Sequence, residues 1–158
     1  MPGGLRQYVL FRIGAEEYGL PIEKVSSIIR YEPSTRVPRA PVSVEGVINL
    51  RGRVIPVVNL GKRLFDSEFT PSPHARIVVA EGEGGSVGLV VDAAAEVATV
   101  EGDAVMPPPQ TALSSDTSEA FEGVVHYQGR LVILLDLDAA IPRAEYAVAA
   151  VEASEREG

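Results

Sequence analysis

Residues 46–60 decide the fold class, and they read GVINLRGRVIPVVNL. Two runs rich in β-branched residues, which favour strands, lie on either side of Arg51 and Gly52. Glycine at position 52 supplies the positive φ angle that a tight hairpin turn requires. The stretch therefore predicts two antiparallel strands that are joined by a short turn.

This hairpin sequence occurs twice in the chain. Residues 123–137 read GVVHYQGRLVILLDL and repeat residues 46–60 at an offset of 77, the difference between 123 and 46. Two earlier pairs of segments match at an offset of 69: residues 8–11 with 77–80, and residues 19–23 with 88–92. Because the two offsets, 77 and 69, differ by eight, the second copy carries an insertion of eight residues before the repeated hairpin.

The duplication predicts an all-β fold of two packed, five-stranded β-barrels, because closure of a short-stranded sheet removes its unpaired edges. The first subdomain is expected over residues 6–65 and the second over residues 74–141. The polar, proline-containing residues 66–73 form the boundary between them. Pro142 suits the first turn of a helix, so residues 142–158 are predicted to form a C-terminal helix and tail.

Two short helices are also predicted within the first subdomain. Val25, Ile28 and Ile29 are spaced i, i+3 and i+4, which is typical of one or two helical turns over residues 23–30. Residues 61–65 are expected to form a second short helix that closes the subdomain. Most apolar stripes of this kind cover the core of their own domain, so the spacing alone does not establish a binding surface.

The composition is that of a globular protein without cysteine chemistry. The chain has 158 residues, 14 basic and 22 acidic side chains, a net charge of −8 and no cysteine. Disulfide frameworks, thiolate metal sites and cysteine nucleophiles are thereby excluded, and the acidic balance disfavours binding to a nucleic-acid backbone. The N-terminus lacks a signal-peptide pattern, and no apolar run approaches the roughly 18 to 20 residues that span a bilayer. The sequence therefore indicates a soluble, cytoplasmic protein.

Recognisable catalytic motifs are absent from the sequence. No Gly-x-Ser-x-Gly elbow or phosphate-binding loop occurs, and the two histidines, His74 and His126, lack the spacing of a metal site. Asp136 and Asp138 are expected on one face of a strand, whereas the carboxylates of acid–base pairs usually converge from separate elements. A small-molecule hydrolase that uses these aspartates is the less favoured alternative. We predict no enzyme activity, no cofactor and no metal site.

The sequence resembles the CheW family of chemotaxis coupling proteins. The Asn-Leu-Arg-Gly turn within residues 46–60 is the most specific signal, and the resemblance covers about residues 6–141. Further segments that agree with the family are residues 17–25 (EYGLPIEKV), 35–41 (TRVPRAP), 88–92 (GLVVD), 107–109 (PPP) and 131–136 (LVILLD).

The resemblance implies both a fold and a function. Members of this family have two packed five-stranded β-barrels, are not enzymes, and act as cytoplasmic adaptors between chemoreceptors and the histidine kinase CheA. The implied partners are the cytoplasmic tip of methyl-accepting chemotaxis proteins and the regulatory domain of the kinase, which has the same double-barrel fold. Such an adaptor helps to build the receptor-kinase array and does not bind nucleic acid or insert into the membrane. The alternative is a CheW-like adaptor of a surface or pilus-based motility pathway.

The resemblance also implies where a receptor would bind. The helical receptor tip is expected in the groove between the barrels, where apolar anchors provide affinity. At the matching positions of this sequence, Val25, Ile28 and Ile29 are candidates for receptor contact, with Arg51 nearby. Family members often carry an acidic residue at the position of Ser27, placed to interact with the turn arginine. Because serine cannot form that ion pair, Arg51 is expected to be available to an acidic receptor group.

Two further sets of residues follow from the resemblance. The hairpin turn is expected to be supported by Gly46, Asn49 and Gly52. Kinase contacts are expected on barrel ends and hairpins, and the candidates are exposed apolar side chains of the strand after the turn: Val54, Ile55 and Val57.

Overall fold

The computed structural model describes residues 4–107, 120–143 and 146. The first half forms β1 (Leu5–Ile13), β2 (Glu16–Pro21), a 3₁₀ helix (Ile22–Lys24), β3 (Val25–Arg30), β4 (Val44–Leu50), β5 (Arg53–Asn59) and α1 (Leu60–Phe65). The second half forms β6 (Arg76–Gly82), β7 (Gly85–Val91), β8 (Ala93–Glu101), a 3₁₀ helix (Gly102–Ala104), β9 (Phe121–Tyr127), β10 (Arg130–Leu135) and α2 (Leu137–Ala140). The predicted all-β class is confirmed.

The two copies of the sequence repeat form equivalent elements. β4 and β9, β5 and β10, and α1 and α2 each begin 77 residues apart. Both helices are also capped in the same way. The side chain of Asn59 accepts a hydrogen bond from the Lys62 amide (3.1 Å), and that of Asp136 accepts one from the Ala139 amide (3.2 Å). Each cap satisfies an amide that has no partner inside its helix.

Strand pairing repeats to the residue as well. Ile28 of β3 lies opposite Val78 of β6, and Val97 of β8 lies opposite Val9 of β1. Ile28 and Val97 are 69 positions apart in the chain, and so are Val9 and Val78. Each ladder also has a register shift at the equivalent point. A residue in one half can therefore be compared directly with its equivalent in the other half.

The strands form two five-stranded sheets that each draw on both halves of the chain. Sheet I has the order β8-β1-β2-β10-β9, and sheet II has the order β3-β6-β7-β5-β4. The parallel pairs β2–β10 and β5–β7 join strands from different halves within each sheet. The two halves have thus exchanged their first two strands, which corrects the expectation that residues 6–65 and 74–141 each supply all the strands of one unit. The limits of the subdomains stay a prediction.

In the part of the chain that the structure describes, one isolated bridge in each sheet connects the two ends of the strand order. In sheet II, Thr35 follows the edge strand β3 and exchanges two backbone hydrogen bonds of 2.8 Å with Val47 in the opposite edge strand, β4. In sheet I, Met106 follows β8 and exchanges two bonds of 2.8 Å with Val124 in β9. The predicted closure of each barrel is limited to these bridges, because no ladder of the described residues pairs the two edge strands of either sheet.

The main core contains side chains from both sheets. Phe11, Tyr18 and Leu20 of sheet I are buried in one cluster with Val58 and Leu89 of sheet II. Burial raises the pKa of the Tyr18 hydroxyl above its ordinary value. Each fully buried aliphatic or aromatic side chain of this kind stabilises the fold by about 1.5–3 kcal/mol relative to an exposed one. The two sheets therefore stabilise one another through this shared cluster.

β3 corrects the first of the two helix predictions. Val25–Arg30 form an edge strand, and the only helical residues beside it are the single 3₁₀ turn Ile22–Lys24. Exposure alternates along β3, so Val25 and Ile29 lie on one face and Ile28 lies on the other. The spacing that suggested a helix thus arises from two faces of a strand. The second predicted helix, over residues 61–65, is confirmed as α1.

Two predictions fall largely on residues that the structure does not describe. The C-terminal helix and tail, residues 142–158, lie outside the described residues except for Pro142, Arg143 and Tyr146. Of the proline loop at residues 107–109, only Pro107 is described. No helix in the described part of the chain is both long and apolar enough to cross a membrane.

Candidate functional site

The turn between β4 and β5 has the predicted hairpin geometry. Arg51 and Gly52 both have positive φ angles, 53° and 82°, which is the pattern of a type I′ turn. The Gly52 amide donates a hydrogen bond of 3.0 Å to Oδ1 of Asn49, so Asn49 holds the turn closed. Arg51 is exposed, and it forms no hydrogen bond or ion pair within the described ranges. The turn therefore presents an uncompensated cation to solvent.

Gly46 supports the fold at a different place from the turn. A Cβ atom on residue 46 would overlap the carbonyl oxygen of Thr35, the residue that bridges to Val47. Gly123, the equivalent glycine, has the Met106 carbonyl oxygen 2.5 Å from its would-be Cβ. Glycine at these positions thus permits the isolated bridge, and Gly46 acts on the bridge rather than on the turn itself.

The predicted receptor residues on β3 differ in exposure. Ile28 is 40% exposed, which is unusual for an isoleucine. Val25 and Ile29 are partly buried, and each packs against a core cluster. Ile28 is therefore the apolar side chain of this set that is most available to a partner, because the other two also stabilise the core.

The predicted kinase residues are mostly core residues. Ile55 and Val57 are 1% and 0% exposed, because β5 lies between β4 and β7 inside sheet II. Val54 is partly buried and packs against the cluster of Val37 and Val47. The expectation that Ile55 and Val57 offer an exposed kinase surface is wrong. Their sequence pattern marks a central strand instead.

A cavity of 580 Å³ lies between the two sheets. Its wall carries the carboxylates of Glu16, Glu68 and Asp92. None of the four predicted receptor residues lines it. The structure therefore does not bring those residues to this cavity. Apolar side chains form much of its wall: Ile13, Tyr18, Phe65, Phe69, Leu131 and Ile133.

Sequence reasoning missed this cavity for a topological reason. Tyr18 on β2 and Ile133 on β10 pair directly in sheet I, although 115 residues separate them in the chain (133 minus 18). Only the exchange of strands between the halves places them side by side. The aromatic residues after β5, Phe65 and Phe69, were the available signal, because large apolar side chains beside a boundary loop need a surface to cover.

Comparison with known proteins gives a clear relationship. Residues 7–145 match the family described as the CheW-like domain. The chain belongs to the CheW family.

Several known proteins match most of this chain. Chemotaxis protein CheW of Rhizobium meliloti (strain 1021) is 36% identical over 146 residues, which is 92% of this chain and 93% of that protein. Protein FrzA of Myxococcus xanthus is 30% identical over 125 residues, covering 78% of this chain and 76% of that protein. The crystal structure of scaffolding protein TtCheW from Thermoanaerobacter tengcongensis has a TM-score of 0.77 and 32% identity, and it covers 86% of this chain and 87% of that one.

Sheet I of this CheW-family protein contains a charge cluster that the sequence did not reveal. Nη1 of Arg130 lies 3.0 Å from Glu17, and Nη2 lies 3.0 Å from Glu96. The guanidinium carbon also stands 5.8 Å from the centre of the Tyr127 ring. These carboxylates raise the pKa of Arg130, and the hydrogen bond to Glu96 makes the largest contribution. The cluster ties β2, β8 and β10 together.

The two aspartates of the hydrolase alternative have structural roles in this CheW-like fold. Asp136 is the N-cap of α2 rather than a strand residue, so the expectation of a shared strand face is wrong. Oδ1 of Asp138 accepts a hydrogen bond of 2.8 Å from the Glu83 amide. Both carboxylates therefore hold backbone amides in place.

Proposed function

We propose that this CheW-family protein is a chemotaxis signalling adaptor that couples chemoreceptors to a CheA-type histidine kinase and helps to build the receptor-kinase array. The observation that carries this proposal is the match to the CheW-like domain over residues 7–145, together with CheW relatives that align over nearly their full length. An adaptor needs two binding surfaces and no reaction centre. The protein is accordingly proposed to be non-catalytic and to require no cofactor.

The receptor surface is proposed to combine an apolar and a charged element. Ile28 offers an exposed apolar side chain on the edge strand β3, and Arg51 offers a guanidinium with no ion pair in the described part of the chain. A helical receptor tip that carries apolar residues and a carboxylate would satisfy both. Val25 and Ile29 support this surface from the core side of the strand.

The kinase surface is proposed to lie on exposed parts of the sheets rather than on the central strand β5. Val54 is the member of the predicted kinase set that retains some exposure, whereas its equivalent in the second half, Leu131, is 50% exposed. Exposed apolar side chains at strand ends are suitable for contact with a regulatory domain of similar fold. The proposed location is the cytoplasm, with membrane arrays reached through the receptors.

The test is direct binding to both partners. Size-exclusion chromatography and calorimetry should detect complexes with the regulatory domain of the cognate kinase and with a soluble fragment of the receptor tip. Absence of binding to every cognate kinase regulatory domain at about 50 µM, a concentration at which a complex with a binding free energy of about −6 kcal/mol is half formed, would overturn the proposal. The alternative is an adaptor of a surface or pilus-based motility pathway. It predicts the same binding, but loss of the protein would impair surface or pilus-based motility and not flagellar swimming.

A further inference from the structure

Two equivalent pairs of residues differ in chemistry between the halves. Ser27 on β3 corresponds to Glu96 on β8 at the offset of 69, within ladders that share their register. Arg53 and Arg130 correspond at the offset of 77, and each begins its strand. The arginine is therefore retained in both halves, whereas the acidic residue is present only in the second.

The third equivalent pair fixes the path of the arginine side chain. Nη2 of Arg53 donates a hydrogen bond of 2.6 Å to Oγ of Ser86, and that hydroxyl donates to the carboxylate of Glu81 at 2.8 Å. Ser86 corresponds to Glu17 at the offset of 69, and Glu17 is one of the two carboxylates that hold Arg130. Arg53 thus extends in the same direction as Arg130, toward the position where Ser27 replaces a carboxylate.

The replacement leaves Arg53 without an ionic partner. Serine stands in sheet II, at residues 27 and 86, at both positions that are glutamate in sheet I, and across the described ranges no carboxylate lies within ion-pair distance of Arg53. Arg51, in the turn that precedes Arg53, also has no ion pair within the described ranges. In the equivalent turn, residue 128 is glutamine and Arg130 is already neutralised. The first hairpin is therefore the one with two available guanidinium groups.

We propose that Arg53, together with Arg51, binds an acidic side chain of the receptor tip, and that Ser27 keeps Arg53 available for it. The identity of the partner rests on the proposed function. A guanidinium binds a carboxylate through two parallel hydrogen bonds, and two exposed arginines on a protein of net charge −8 form a local site of complementary charge. The same equivalence predicts that an acidic residue at position 27 would pair with Arg53, as Glu96 pairs with Arg130.

A double-mutant cycle on the isolated protein tests the geometry without any partner. Ser27→Glu should raise the melting temperature at low salt in the wild-type background and should fail to do so in the Arg53→Ala background. Ser27→Gln is the uncharged control and should not show this dependence. An equal effect of Ser27→Glu in both backgrounds would mean that position 27 does not face Arg53, which would overturn the inference.

Titration of a soluble receptor tip tests the binding site. Arg53→Ala and Ser27→Glu should each weaken binding about two- to fivefold and reduce its salt dependence, as expected for one exposed ion pair. Arg12→Ala, an exposed arginine on β1 with the same change in charge, should bind like the wild type. If the wild type binds the receptor tip and Arg53→Ala binds equally well, this inference fails alone. If the wild type binds no receptor tip, the proposed function fails and this inference fails with it.

Discussion

The carbonyl oxygen of Thr35 occupies the place where a Cβ atom on Gly46 would stand. Thr35 uses that same carbonyl, and its amide, to bridge the segment that follows β3 to Val47 in the middle of β4. The glycine is therefore required because one backbone approaches another, and this approach is what joins the two edges of sheet II. The second half repeats the arrangement at Gly123 and Met106.

Gly46→Ala should destabilise the protein by about 1–3 kcal/mol, because an added methyl group must displace a hydrogen-bonded backbone segment rather than a flexible side chain. Urea denaturation would measure the change in the free energy of unfolding. Gly4→Ala is the matched control, since nothing lies within 4 Å of its would-be Cβ, and it should change the stability by less than about 0.5 kcal/mol. Equal stability of the Gly46 variant and the wild type would show that the bridge can relax freely.

The sequence was most informative where one residue type is needed for one backbone conformation. Gly52 and the flanking β-branched runs predicted the hairpin, and the turn has the required pair of positive φ angles. It was misleading on β3, where Ile28 is apolar yet exposed, so the true alternation of the strand was hidden behind a helical spacing. The three β-branched residues there were the signal that favoured a strand.

The exchange of strands could not be predicted from local patterns. β1 and β6 carry equivalent residues at one offset, and so do β2 and β7, so each copy has nearly the same pattern of buried side chains for pairing. Which copy joins which sheet is settled by packing across the whole molecule. The receptor candidates were found from the resemblance, but the burial of Ile55 and Val57 follows from the central place of β5 in sheet II, which only the topology reveals.

Ile28→Arg should weaken binding of a soluble receptor tip about tenfold, because it replaces an exposed apolar anchor with a charge. Val97→Arg is the matched control. Val97 is the equivalent residue on β8 and is 47% exposed, against 40% for Ile28, so the two substitutions should affect folding alike. Calorimetric titration of both variants would measure the difference. Equal loss of receptor binding in both would show that the effect is not specific to β3.

Arg51→Gln should lower receptor-dependent activation of the kinase while leaving the melting temperature unchanged. The second half shows that the fold accepts this residue, because Gln128 occupies the equivalent turn position with a φ angle of 50°, close to the 53° of Arg51. A coupled assay of kinase autophosphorylation with receptor membranes would measure the activation. A large fall in the melting temperature instead would assign Arg51 a structural role.

Arg130→Ala should lower the melting temperature, and Arg53→Ala should lower it less. The side chain of Glu17 is only 15% exposed, so removal of Arg130 leaves this carboxylate poorly solvated and close to Glu96. The difference between the two variants should narrow as salt is added, because ions screen the repulsion between the remaining carboxylates. Thermal denaturation at low and high ionic strength would measure it. A difference that does not depend on salt would mean that packing, and not charge, is what Arg130 contributes.

Glu45 should make stability depend on pH. It lies at the register shift of β4, and one of its carboxylate oxygens is buried without a hydrogen-bond partner in the described part of the chain. Burial raises the pKa of Glu45 above its ordinary value of 4.5, whereas a hydrogen bond with Tyr31 opposes this shift. A raised pKa in the folded state means that the folded protein holds the proton more tightly than the unfolded chain does. The stabilisation is therefore complete below the unfolded pKa and is lost as the pH rises through the folded pKa.

Glu45→Gln removes this ionisation, so the stability of the variant relative to the wild type should increase from about pH 4 to pH 7. Urea denaturation across that range would measure the difference in the free energy of unfolding. Tyr31→Phe is the second variant, because loss of its hydrogen bond should raise the pKa of Glu45 further and steepen the loss of stability with rising pH. Parallel pH curves for wild type and Glu45→Gln would show that the buried carboxylate is solvated as well in the folded protein as in the unfolded chain, which contradicts its burial at the bulge of β4.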